Sequence, residues 1–344
     1  MEADRATTRS IRALLHAFDS GSELLDVVRP GQGLANQVFF LKTTRSGFDL
    51  VLKVFDDEAG SWKPQKEMAI HALMRDLDIP SPTIILVDSS KHVVPFIYSL
   101  SERIAGEAYS SMLPTLGVDE NCRIYRQLGD CVGRLHSTRF SLFGDVRRKD
   151  GKLDVGPAHE LGRDAKGQPQ GPFATWLEMH REIVKTRLNL MRGTAFEDLV
   201  PRIESYFHER QGEIDFDIVP RLVHMDLHPG NILVRDGQIA AILDVEESIV
   251  GHNEYDLMRT ELGNFRGQDP AYAHAFMDAY TDHVSLDEGY LGRKYFYDVS
   301  RTLAWIRSLL LNANAYSTDQ ANQYRRAARS HLLSLIVGHP TATK

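Results

Sequence analysis

The chain has 344 residues, 42% of them hydrophobic and 25% charged, with a formal net charge of −7; this is enough for two packed lobes of ordinary globular composition and speaks against nucleic acid as the main partner. No apolar run approaches the roughly 20 residues of a membrane span, and the N-terminal MEADRATTRSIRALLHAF lacks the basic-then-apolar order of a signal peptide, so no membrane partner and a cytoplasmic location are expected. Cys122 and Cys131 lie nine positions apart in a helical stretch, a spacing that predicts reduced thiols and neither a disulfide nor a cysteine zinc site.

Residues 7–18 predict a short helix with Ile11, Leu14, Leu15 and Phe18 on one side. Strand patterns follow at 24–28, 38–43 and 50–55, separated by the glycine-bearing turns PGQG and RSG. A helix over 64–77 opens on Pro64 and carries Ile70, Leu73, Met74 and Leu77 at helical spacing. Residues 83–87 and 93–100 predict two more strands, completing a small, mostly antiparallel sheet with one inserted helix. Beyond Gly106 the pattern turns helical, with Ile124, Leu128, Val132 and Leu135 on one face and Trp176, His180, Ile183, Val184 and Leu188 on another. The polar, glycine-rich stretch between them, 147–172, predicts a mobile surface loop. Strands return over 221–244, including the hairpin NILVRDGQIAAILD with its Asp236-Gly237 turn, and helices run from about Glu254 to the end. The fold class expected is α+β and bilobal. An N-terminal sheet lobe spans residues 1–101, a hinge 102–106, and a mainly helical lobe 107–344.

The most specific stretch is Arg221-Leu-Val-His-Met-Asp-Leu-His-Pro-Gly-Asn, followed after a hairpin by Ile-Leu-Asp244. A short strand ends at His224, Asp226 and Asn231 fall in a loop, and the hairpin returns the chain to Asp244. Two carboxylates and an amide oxygen can thereby surround one point. Phosphoryl transfer needs such a set: a carboxylate to orient a hydroxyl and take its proton, and hard oxygen ligands for Mg²⁺ on nucleotide phosphates. Asn231 and Asp244 are the plausible metal ligands. Lys53, alternating with apolar neighbours in LVLKVF, and Glu67 fourteen residues later on the next helix predict a pair that holds the ammonium for nucleotide phosphates. Gly31, Gly33 and Asn36 precede that strand, where glycines allow backbone to approach phosphate.

HMDLHPGN with ILDVEES and then EYDL resembles the aminoglycoside phosphotransferase and choline kinase superfamily, the small-molecule relatives of protein kinases. The resemblance runs from roughly residue 24 to 310. It implies ATP between two lobes, with Asp226 as catalytic base and Asn231 and Asp244 on magnesium. It also implies His224 supporting the loop and Asp256 bracing it from behind. Gly31, Gly33 and Asn36 resemble the family's phosphate-covering turn. The adenine is expected on backbone groups of Glu102 and Ile104. Two positions depart from the pattern: Met225 replaces a usual glycine, and Val245-Glu246 replaces an aromatic or Phe-Gly pair.

Between Asp244 and Tyr290 the chain carries eleven acids against Arg259 and Arg266. That imbalance predicts a cationic acceptor, an aminoglycoside-like antibiotic first, as in antibiotic resistance, and choline, homoserine or an amino sugar otherwise. Glu246, Glu247 and Glu261 are the expected contacts, with Phe265, Tyr272 and Tyr280 available for cation–π support. Monomer and homodimer are equally compatible with the sequence. Two other classes fit the sequence less well. His224, Asp226 and His228 form HxDxH, but no second HxH and no HExxH accompanies them for a metal hydrolase. A non-catalytic kinase-like nucleotide-binding module would be expected to lose the base, the metal ligands or the lysine, and all are present.

Overall fold

A computed structural model describes residues 6–30, 37–44, 49–55, 62–149, 152–164, 166–312 and 316–337. The first helix, α1 (Thr8–Phe18), is started by a reciprocal hydrogen-bonded box between Thr7 and Ser10. Its apolar face lies on a five-stranded antiparallel sheet made of β1 (Leu24–Val28), β2 (Gln37–Thr43), β3 (Leu50–Val54), β4 (Ile84–Asp88) and β5 (Tyr98–Glu102). The spatial order is β1-β2-β3-β5-β4. Leu14, Phe39, Leu52 and Leu100 meet in this core. Helix α2 (Trp62–Asp76) is inserted between β3 and β4.

The expected strand over 93–100 is displaced: residues 92–96 bend, and β5 occupies 98–102 instead. Pro95 has no amide hydrogen to donate to a ladder, and Lys91 sits at φ +56°, so the chain turns there before it can pair.

After β5 the chain makes β6 (Glu107–Ala108), the one-turn helix α3 (Tyr109–Met112) and the long α4 (Val118–Ser137). The polar stretch expected to be a mobile loop is partly ordered. β7 (Asp145–Lys149) and β8 (Lys152–Gly156) pair antiparallel, and a single 3₁₀ turn follows at His159–Leu161. Then come α5 (Trp176–Met191), α6 (Val200–Arg210), β9 (Arg221–Val223), β10 (Ile232–Arg235), β11 (Gln238–Ile242), β12 (Ile249–Gly251) and the helices α7 (Asn253–Asn264), α8 (Pro270–Thr281), α9 (Tyr290–Leu311) and α10 (Thr318–Val337).

Two cores organise this part. One joins the underside of α2 (Ile70, Met74) to α4, the β10–β11 hairpin and α8. The other fills the space among α5, α6, α7, α9 and α10. α4 and α8 approach closely because Gly129 has no side chain: a Cβ there would lie 2.1 Å from the Phe276 carbonyl oxygen. Tyr272 and Tyr280, offered by the sequence as aromatic contacts for a cation, are buried in the first of these cores, and Phe265 packs against it. No helix among the described residues is long and apolar enough to cross a membrane.

Candidate active site

The loop that carries Asp226 hangs between β9 and a 3₁₀ turn over Pro229–Asn231. β9 pairs with β12, and β10 with β11 and β6, so both ends of the loop are fixed in ladders. The hairpin turn at Asp236-Gly237 has both residues at positive φ, the conformation this dipeptide favours, and it sends β11 back toward Asp226.

Behind the loop, Asp256 is fully buried on α7. Its two oxygens accept the main-chain amides of His224 (2.8 Å) and Met225 (2.7 Å), and His136 on α4 adds a contact at 3.0 Å. Burial alone would raise the Asp256 pKa; the bonds from His136 and the amide of His224 outweigh it and hold the carboxylate ionised. His224 points its Nε2 at the Leu243 carbonyl (3.1 Å), while its Nδ1 accepts the Asp226 amide (3.3 Å). One neutral tautomer satisfies both bonds. Leu243 also donates its amide to the Asn231 carbonyl at 2.8 Å. The loop and the residue before Asp244 are therefore one hydrogen-bonded unit.

In front, the Asp226 side chain is 42% exposed. The Asn231 amide nitrogen donates to the Asp226 carbonyl (2.9 Å) and lies 3.4 Å from its carboxylate. The His228 ring is 3.9 Å from Asp226 and accepts the Gly230 amide.

From the other lobe, Lys53 on β3 reaches across. Its ammonium sits 2.7 Å from Glu67 on α2, 3.2 Å from Asp244 and 3.1 Å from Glu246. Burial works to lower the Lys53 pKa, but the three carboxylates outweigh it and raise it well above its ordinary value. The carboxylates do not gain equally, because three of them share one cation. Burial pushes Glu67 up to about 6 against the pull of Lys53. Asp244 is held low by Lys53 despite its own burial penalty. The cluster thus holds surplus negative charge, and Glu67, Asp244 and Glu246 each offer an oxygen within 4.8 Å of the others. A divalent cation fits that surplus.

Glu102 ends β5, and its carboxylate accepts the Thr83 amide at 2.7 Å; Ile104 follows, half-buried, in the segment between β5 and β6. Gly31, Gly33 and Asn36 lie outside the described residues. The three acids expected to meet an acceptor separate in space. Glu246 turns to Lys53, and Glu261 binds Lys294 and the Tyr290 hydroxyl. Glu247 stays exposed, although the protein around it and the like charge of Glu160 and Glu246 raise its pKa. Most of the acidic segment is likewise compensated from outside: Glu254 and Asp287 by Arg293, Asp256 by His136.

Three supporting contacts in this arrangement have no local signal in the sequence. His136 supports Asp256. Arg259, one turn beyond Asp256 on α7, donates to the Met225 carbonyl. Lys66, beside Glu67, is buried with its ammonium 3.0 Å from both Asp145 on β7 and the Ser248 carbonyl.

A sheet lobe whose lysine–glutamate pair reaches the aspartate of a helical lobe, after an HxDxxxxN loop, defines a phosphotransferase of the protein-kinase-like class. Residues 26–293 match the sequence profile of the family described as "Phosphotransferase enzyme family", and the chain belongs to it. None of the curated proteins matches the sequence. Among solved structures, aminoglycoside phosphotransferase APH(4)-Ia aligns over 97% of this chain and 100% of its own, with a TM-score of 0.69 at 15% identity. A thermostable mutant of the same protein, in ternary complex with AMP-PNP and hygromycin B, aligns with a TM-score of 0.67 at 15% identity, over 95% and 99% of the two chains. A candidate fructosamine-3-kinase from Thermobifida fusca aligns over 94% of this chain and 100% of its own, with a TM-score of 0.61 at 19% identity.

Proposed function

We propose that this phosphotransferase moves the γ-phosphoryl group of ATP to a hydroxyl of a small molecule. The observation that carries the reading is the convergence of Lys53, Glu67 and Asp244, drawn from both lobes to within hydrogen-bond distance, with the residue before Asp244 tied to the Asp226 loop through the Leu243–Asn231 hydrogen bond. The hinge is residues 102–106, between lobes at 1–101 and 107–344, with adenine on the backbone of Glu102 and Ile104, and Gly31, Gly33 and Asn36, outside the described residues, as the expected phosphate contacts.

In this reading Lys53 holds the α- and β-phosphates, and Glu67 keeps the ammonium aimed. Asp244 and the Asn231 amide oxygen hold magnesium, whose charge would neutralise the phosphates during transfer. The Asn231 nitrogen is already committed to Asp226, which leaves the oxygen as its metal-facing atom. Asp226 orients the acceptor hydroxyl and takes its proton, while Asp256 and His224 keep the loop in place.

For the acceptor, aminoglycoside-like and fructosamine-like molecules draw support from the related folds, and a cationic group has Glu247 as its docking point. Choline, homoserine and amino sugars belong in the same test. Nucleotide consumption is measured across these acceptors with purified protein, with and without EDTA. ATP-dependent phosphorylation of one of them, abolished by EDTA, is the expected result; turnover that survives EDTA, or MgATP that does not bind, sinks the reading.

A further inference from the structure

The Lys53 ammonium has no donor to spare. An ammonium carries three N–H donors and no acceptor, and here each meets a different carboxylate: Glu67 at 2.7 Å, Asp244 at 3.2 Å and Glu246 at 3.1 Å. Glu67 aims the lysine and Asp244 serves the metal; the phosphotransfer chemistry leaves Glu246 unused. A Phe-Gly pair after Asp244 would put no side chain at position 246 and would leave one donor of Lys53 open. In this chain Glu246 is buried there, in a turn pinned from three sides. The Ser248 amide donates to the Val245 carbonyl at 3.1 Å, the Ser248 hydroxyl donates to the His224 carbonyl at 3.3 Å, and the Ser248 carbonyl accepts the Lys66 ammonium at 3.0 Å. Phosphate oxygens can therefore reach Lys53 only by displacing a carboxylate, and the displaced carboxylate stays beside them. Like charges brought together in this way cost several kcal/mol, and a bare triphosphate adds to the negative surplus that three carboxylates on one ammonium already hold. A divalent cation carried on the phosphates offsets both charges.

We propose that Glu246 makes nucleotide binding conditional on a divalent cation: it holds the third donor of Lys53 against a metal-free triphosphate, and yields that donor when a cation on the phosphates meets its charge. This rests on the phosphotransferase reading and adds to it a positioning residue that selects the metal-loaded nucleotide. With a neutral side chain at 246, Lys53 would keep Glu67 and Asp244, and metal-free phosphates would meet one negative charge fewer. Metal-free ATP would then occupy the site without the cation that transfer needs. Glu246 keeps that unproductive complex out.

The test is calorimetry on the full chain, giving Kd for ATP in EDTA and for ATP in excess magnesium, with the unmodified protein and with Glu246→Gln. The unmodified protein is expected to bind metal-free ATP far more weakly than MgATP. Glu246→Gln keeps the shape and removes the charge. It should tighten metal-free ATP by about tenfold or more, the worth of a contact to a charged group, and move Kd for MgATP much less. A general loss of packing would weaken both forms together, so the ratio of the two Kd values separates this role from a structural one. An unchanged ratio overturns the proposal, as does an unmodified protein that binds ATP equally well with and without magnesium. Should Glu246→Gln fail to fold, as read from its Tm, the unmodified protein is titrated with tetraamminecobalt(III)-ATP, an exchange-inert complex that carries a cation's charge on the phosphates. Affinity near that for MgATP supports the proposal, and affinity no better than for metal-free ATP overturns it. Failure of MgATP to bind the unmodified protein would instead strike the kinase reading itself.

Discussion

Met225 stands at φ +71°, in the left-handed region that an L side chain enters at a cost of about 1 kcal/mol or more. Its amide must face Asp256 and its carbonyl must face Arg259, and only this backbone turn presents both. The departure from the family's glycine was legible in the sequence; what compensates it was not, because Met225 is buried as part of the core that α5, α6, α7, α9 and α10 share, most of it far away in the chain. Burying a methionine side chain contributes roughly 1.5–3 kcal/mol, which exceeds the strain. Met225→Gly should therefore lower stability even though it relieves the backbone. Met225→Ala should lower it further, since alanine loses the packing and keeps the strain. Chemical denaturation of the three proteins checks the order; alanine more stable than glycine would remove the strain argument. The neighbouring residue carries the chemistry. Asp226→Asn keeps shape and exposure and should lower kcat by roughly 10²–10⁴, the usual worth of a positioned base, with nucleotide affinity retained. Near-normal turnover would assign the proton to another group.

At the scale of elements, α2 decides whether the two lobes present one site. Its pattern over 64–77 was readable because Ile70, Leu73, Met74 and Leu77 keep the helical period, and the Lys53–Glu67 pair was readable from strand-then-helix order. The attachment of α2 to the other lobe was hidden. Lys66 reads as a solvated helix lysine, yet its partners Asp145 and Ser248 lie 79 and 182 residues on, where no local pattern reaches. Asp145 in turn accepts the amide and ring nitrogen of His159, whose ring stacks on Trp62 at the start of α2 with 3.7 Å between centroids. The hairpin that Asp145 opens runs on into the stretch 147–172 that reads as loop; the alternation is brief and charged, and the Asp150-Gly151 dipeptide is its main signal. Lys66→Met strands a buried carboxylate and should cost about 3–5 kcal/mol. Because Lys66 is adjacent to Glu67, it should also weaken MgATP binding. Denaturant titration and calorimetry on one preparation check both. A loss of stability with unchanged nucleotide affinity would show that α2 stays in place without this tie.

For the whole molecule, the sequence recorded how much charge each segment holds, and the fold determines which charges meet. Several of the acids after Asp244 are compensated from elsewhere in the fold, since α9 delivers Arg293 to Glu254 and Lys294 to Glu261, and α4 delivers His136 to Asp256. Histidine shows the same dependence on the fold. His180 lies in the aromatic core of α5, α6, α7 and α9, its Nε2 3.1 Å from the Ser300 hydroxyl. Burial, then the nearby Arg187, lower its pKa to about 3. His252 is also pushed well below its ordinary value, by burial and then Arg293. A histidine with a depressed folded pKa stabilises the fold fully above about pH 6.5, where the unfolded chain is also neutral. That stability is lost as pH falls toward the folded value, because the unfolded state takes up the proton first. By pH 4.5 the loss should reach roughly 2–3 kcal/mol for His180, at about 1.4 kcal/mol per pH unit below 6.5. Carboxylates held low by partners, such as Asp256 and Asp145, act in the same direction but only at more acid pH. Glu67, pushed up to about 6, and Glu247 and Glu254, raised by burial, act in the opposite direction and take back part of the loss. Unfolding free energy measured by urea at constant ionic strength should therefore decline between pH 6.5 and 4.5, before ordinary carboxylates titrate. His180→Gln should be less stable at pH 7.5 and show a shallower decline across that window, since glutamine takes up no proton in the unfolded chain. Parallel slopes for the two proteins would mean that His180 does not set the acid limit of this fold.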